Sequence, residues 1–137
     1  MTPNQYVEAL ARALDEDDYE TSAEMMSDRV DYRIGVESIR GPDAVVASYR
    51  AASEMAHRLF DQVAYNHRVV PTDDPHVFRV SYSDILTLNG ETMTHQAEQH
   101  VTLDPNQGVI GIVNIELPGE RERVDAFLAR HGKSRHT

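Results

Sequence analysis

The sequence predicts an α+β fold, a curved antiparallel sheet with helices on one face and room for a cavity between them. Three observations carry this. Apolar residues recur at helical spacing over 3–16 and again over 42–60. Four strand-like stretches follow, over 62–70, 76–88, 92–104 and 108–117. Two of them meet at Asn89-Gly90, the strongest short hairpin signal.

Each element has its own local reason. Tyr6, Val7, Leu10 and Leu14 share one helical stripe from Pro3 to Glu16, and Pro3 suits a first turn. The acidic run Asp15 to Asp18 ends that pattern, and a shorter helix is expected over 19–26 with Ala23 and Met26 inward. Val30, Tyr32, Ile34 and Val36 then alternate with polar residues or glycine, as in a strand with one apolar face. Gly41-Pro42-Asp43 starts a helix whose stripe is Val45, Tyr49, Ala52, Ala56 and Leu59. Gly119 opens a last amphipathic helix with Val124, Phe127 and Leu128 inward, and the tail GKSRHT is expected to fray.

The 137 residues suit one domain spanning 1–137. Net charge is −10, with 13 basic residues scattered along the chain, so a phosphate backbone or anionic membrane would be repelled. No apolar run approaches the ~20 residues of a membrane helix, and the N-terminus does not read as a signal peptide. With no cysteine there is no disulfide, thiolate nucleophile or Cys-zinc site, which fits a cytoplasmic location.

Strand alternation nominates the site. The even positions of 76–88 are apolar apart from Tyr82 and Asp84, so both point inward with Phe78, Val80, Leu86 and Leu88. Over 94–103 the odd face, His95, Ala97, Gln99, Val101 and Leu103, goes inward. His67 shares a face with Val63, Tyr65 and Val69. His67, Asp84 and His95 are therefore expected in one cavity, where a buried carboxylate needs a partner. The opposite face, with Arg68, Arg79, Ser81, Ser83, Gln96, Glu98 and His100, is a polar surface open to water or to a second copy.

The stretches ALDEDDYETSAEMMSDRVDYRI, IRGPDAVVASYRAA, HQAEQHVTLD and GVIGIVNIELPGERERVDAFLARHG resemble the SnoaL-like members of the nuclear-transport-factor-2-like superfamily, the cystatin-like cone folds. The resemblance covers almost the whole chain. It implies a conical pocket, no obligatory cofactor and a homodimer formed through the sheet. It also implies acid–base chemistry on small, largely apolar molecules, as in ketosteroid isomerase, scytalone dehydratase, polyketide cyclases and limonene epoxide hydrolase. Asp15 looks like the first-helix aspartate of scytalone dehydratase, and His67 and His95 like its strand histidines. Leu14 stands where that enzyme has a tyrosine. Asp84 is similar in placement to the strand aspartate of the polyketide cyclases.

Three functional readings stay open. The first is a cofactor-free isomerase, dehydratase or cyclase acting on a small apolar carbonyl or hydroxylated ring compound. His95 or His67 would move the proton, Asp84 or Asp15 would orient the histidine, and Tyr82 would donate to a developing oxyanion. The second is a non-catalytic small-ligand-binding protein with Met25, Met26, Tyr49, Met55 and Phe60 around its cavity. The third is a metal site of His67, His95 and Asp84.

Overall fold

Residues 1–135 are described in a computed structural model. The chain runs α1 (Pro3–Asp15), α2 (Tyr19–Glu24), β1 (Met26–Ile34), β2 (Glu37–Arg40), α3 (Pro42–Leu59), β3 (Gln62–Pro71), β4 (Val77–Leu88), β5 (Glu91–Asp104), β6 (Gly108–Ile115) and α4 (Glu120–Arg130). Thr2 starts α1 with a reciprocal cap. Its side chain accepts the Gln5 backbone N–H at 3.1 Å, and the Gln5 side chain accepts the Thr2 N–H at 2.8 Å. Asp18 caps α2 by accepting from the Thr21 N–H.

The six strands form one curved sheet in the order β2-β1-β6-β5-β4-β3. All pairs are antiparallel except β1 with β6, which is parallel. The ladders joining β3, β4 and β5 run without a register shift, whereas β6 meets both its neighbours through irregularities. Asn89 and Gly90 both have positive φ, 51° and 81°, as the tight β4–β5 hairpin demands.

Several expectations are corrected. Met26 belongs to β1, opposite Val109, rather than to α2, because the strand begins directly after the short helix. Val36 is exposed in the turn after β1, whose reversal at Gly35 (φ 60°) creates the short strand β2. The tail is anchored rather than frayed as far as residue 135. Lys133 Nζ donates to the Leu59 carbonyl at 3.0 Å and Arg135 Nε to Asp125 Oδ1 at 2.6 Å. His136 and Thr137 lie outside the described residues.

The core has two parts. The larger joins Val7, Leu10 and Ala11 of α1 to Val30, Val45, Phe78, Val80, Val101 and Ile112. The smaller gathers Leu59, Phe60, Leu86, Leu88, Val124, Phe127 and Leu128 at the hairpin end. Among the described residues, no helix is long and apolar enough to cross a membrane.

Gly108 sets the start of β6. The Met25 carbonyl accepts from the Tyr6 hydroxyl at 2.9 Å and from the Val109 N–H at 3.1 Å. A Cβ on Gly108 would lie 2.7 Å from that oxygen, and its φ of 90° is itself unfavourable to other residues. Gly108→Ala is therefore expected to destabilise the protein by at least ~2 kcal/mol, with strain and clash adding. Chemical denaturation that returned wild-type stability would refute this account of the junction.

Candidate functional site

A cavity of about 350 Å³ opens between the two parts of the core. That is within the range of small-molecule sites. Leu14, Tyr32, Tyr49 and Tyr82 close one side, and Leu59, Phe60, Leu86 and Val124 the other. The sheet supplies its polar groups by alternation. Tyr82 and Asp84 come from β4, His95 and Gln99 from β5, and Tyr65 from β3. The helix end of α1 supplies Asp15, and the following turn supplies Asp17.

Tyrosines dominate the inner wall. Tyr32 and Tyr49 stack with ring centroids 5.2 Å apart and planes 5° from parallel. The Tyr49 hydroxyl donates to Gln99 Oε1 at 2.8 Å, and Gln99 Nε2 donates to the Tyr32 oxygen at 3.0 Å. This satisfies a buried amide that would otherwise cost ~1–3 kcal/mol. Tyr82 also lines the cavity, yet its hydroxyl makes no hydrogen bond to any described residue. Burial first, then the charge of Asp15, pushes its pKa far up, so it persists as a neutral O–H donor.

Asp84 and His95 face each other across the β4–β5 ladder, with Oδ2 3.7 Å from Nδ1. This is an ion-pair distance, longer than a hydrogen bond. Both side chains line the cavity, as alternation predicts. Asp17 lies on the rim, where its Oδ1 accepts from the hydroxyls of Tyr19 at 2.8 Å and Ser53 at 3.1 Å.

His67 departs from the expectation. It points to the helix face of β3, but it is not part of the cavity wall. Its Nδ1 lies 2.5 Å from Asp15 Oδ2 and its Nε2 2.7 Å from Glu8 Oε1. It is thus a clamp between α1 and the sheet, and it reaches the cavity only through Asp15. The cause is the docking of α1 across β3, which alternation along one strand does not report. Burial pulls the His67 imidazolium pKa down, but its bonds to Asp15 and Glu8 outweigh that, and the net shift is upward. Burial raises the Asp15 carboxyl more than the bond to His67 lowers it, and the nearby Asp84 and Glu16 charges add to the rise.

The metal reading loses its donor set, because His67 is held by α1 and separated from His95 and Asp84. Among the described residues, no three His, Asp or Glu side chains converge to hold a metal ion. Met25 and Met26 are likewise absent from the wall, whereas Tyr49, Met55 and Phe60 belong to it. The sequence reading did not single out Glu8, Asp17, Tyr65 or Arg135 as site residues. Glu8 had one usable signal: seven positions before Asp15, it shares that residue's helix face.

The clamp implies a pH dependence. A histidine whose folded pKa is raised stabilises the fold fully below the unfolded value of ~6.5. That contribution is lost as pH rises through the folded pKa. Asp15, also raised, disfavours the fold increasingly as pH climbs above the ordinary ~3.9 through its own folded value. Thermal melts should therefore show a stability loss above about pH 6.5 that His67→Gln removes. An identical slope in the variant would place the titration elsewhere.

No family model and no curated protein sequence matches the chain. Solved structures match its fold. SalBIII, an epoxide hydrolase/cyclase-like enzyme in pyran ring formation in the polyether salinomycin, is 14% identical with a TM-score of 0.67, covering 86% of this chain and 92% of its own. A Mycobacterium tuberculosis protein in complex with estradiol-17β-hemisuccinate is 14% identical with a TM-score of 0.63, covering 88% and 98%. An NTF2-like protein of unknown function from Exiguobacterium sp. 255-15 is 13% identical with a TM-score of 0.60, covering 86% and 99%. At these identities the likeness is one of fold. The chain has the nuclear-transport-factor-2-like fold, an α+β arrangement of N-terminal helices against a six-stranded, mostly antiparallel curved sheet.

Proposed function

We propose that this chain is a small-molecule pocket protein of SnoaL-like type that carries out cofactor-free acid–base chemistry. Its substrate class is a small, largely apolar carbonyl or hydroxylated ring compound. The observation that carries this reading is the meeting of the Asp84–His95 pair and the Tyr82 hydroxyl, which bonds to no described residue, in one apolar-walled cavity. Two solved structures of the same fold lend support, one named for a cyclase-like enzyme and the other holding a steroid ester.

The chemistry follows from the groups present. With the Nδ1 proton toward Asp84, the Nε2 lone pair of His95 takes a proton from the carbon beside a carbonyl. Asp84 then stabilises the imidazolium that forms. The Tyr82 O–H donates to the carbonyl oxygen as it gains negative charge. Return of the proton from Nε2 to a conjugated carbon completes isomerisation, and return to the same carbon after Nε2 has traded its proton with solvent completes exchange. Asp15, held by His67, adds a second carboxyl with a raised pKa at the same cavity. The convex face of the sheet, where Ile85 and Val113 are exposed, is proposed as the surface for a second copy.

The test is deuterium wash-in beside the carbonyl of 2-tetralone, followed by proton NMR. Exchange should exceed background and saturate with ketone. His95→Gln should lower it about 10²–10⁴-fold and Tyr82→Phe about 10²–10³-fold, with ketone affinity changed much less. Saturable binding without exchange would favour the second reading, a non-catalytic ligand-binding protein, for which the long 3.7 Å gap between Asp84 and His95 already speaks.

A further inference from the structure

The cavity has a charge character that its apolar walls do not explain. Three carboxylates line it: Asp15, Asp17 and Asp84. The positive groups nearby are largely committed. His67 is shared between Asp15 and Glu8. Arg135, on the wall, is tied to Asp125 Oδ1 at 2.6 Å and to the Arg121 carbonyl. His95 sits 3.7 Å from Asp84. Arg50 lies over the Tyr19 ring, 4.7 Å from its centroid. Asp17 has only hydroxyl partners, and among the described residues no ion pair reaches it.

Around these acids stand the rings of Tyr32, Tyr49, Tyr65 and Tyr82. Aromatic walls with carboxylates are a setting in which organic cations bind well, since ring quadrupole and acid charge act together. The Tyr82 hydroxyl, without a hydrogen bond among the described residues, and the Ser53 hydroxyl, which touches both Asp17 and the Tyr65 oxygen, offer further acceptor oxygens. The rest of the cavity is apolar, with Met55, Leu59, Phe60 and Leu86 opposite the acids. A chain of net charge −10 also draws cations at longer range.

We propose that the cavity selects a ligand carrying a protonated amine on an apolar ring body and rejects a carboxylate of the same shape. This deepens the small-molecule reading above and rests on it. The amine sits between the Asp17 and Asp84 carboxylates, and the ring lies against the Met55, Leu59 and Phe60 wall. An anionic ligand would face the same carboxylates with like charge, which few free cations offset.

The test compares three ligands of one shape at about pH 7, where the amine is protonated: 2-naphthylmethylamine, 2-naphthylmethanol and 2-naphthoate. Naphthalene fluorescence reads binding directly, because the chain has no tryptophan. The amine should bind about tenfold tighter than the alcohol, and the carboxylate weaker than either. Asp17→Asn, on the exposed rim, should lower amine affinity selectively. Asp17→Asn combined with Asp84→Asn should bring amine and alcohol level, with thermal melts confirming that both variants fold. An alcohol that binds as tightly as the amine, or a naphthoate that binds best, overturns the charge selection and leaves the small-molecule reading standing. Failure of all three ligands to bind removes both.

Discussion

The unbroken pleat through β3, β4 and β5 is the constraint on which the rest depends. Side chains alternate strictly along paired strands, so a slip of one residue would carry Tyr82, Asp84, His95 and Gln99 to the outer face together. β4 pairs with β5 from Val77 opposite Thr102 to Leu88 opposite Glu91, and with β3 from Phe78 opposite Pro71 to Thr87 opposite Gln62. The irregularities lie instead where β6 joins β1 and β5, away from the acid-bearing strands. The sheet thus bends at one end and keeps its register where the chemical groups stand.

That geometry leaves a hollow because the concave face cannot be filled uniformly. The α1 and α3 side of the core is packed with valine, leucine and phenylalanine, and α4 closes the hairpin end with a second apolar group. Between them lie residues with apolar bodies and polar tips. Collapse onto those tips would bury carboxylates and hydroxyls without water or partners, at a cost of several kcal/mol. The Tyr49–Gln99–Tyr32 chain shows the alternative, in which each polar atom deep in the wall is bonded to another. The hydroxyl of Tyr82 has no such bond to any described residue, and Asp84 and Asp15 also line the cavity.

The His67 clamp joins architecture to chemistry. One imidazole holds two carboxylates of α1, one near the middle of the helix and one at its last residue. It pins the helix to β3 and aims Asp15 at the cavity. His67 and Asp15 are about equally shielded, their side chains 13% and 14% exposed, so the interaction is only weakly screened by solvent. A surface pair with the same atoms would contribute far less.

Much of this was legible in the chain itself. The helix stripe of Val45, Tyr49, Ala52 and Leu59, the Asn89-Gly90 hairpin and the inward faces of β4 and β5 follow from local periodicity and turn chemistry. These act within a few residues, so one sequence suffices to read them. The placement of Asp84 opposite His95 follows from the same rules, because a tight hairpin fixes the register of its two strands. What no local pattern contains is how separate elements dock. That β1 runs parallel to β6, that α1 crosses β3 and takes His67 out of the cavity, and that residues 133–135 fold back under α4 were decided by tertiary packing. Each depends on contacts between groups tens of residues apart, such as His67 with Glu8 and Lys133 with Leu59, whose energies no sequence period records.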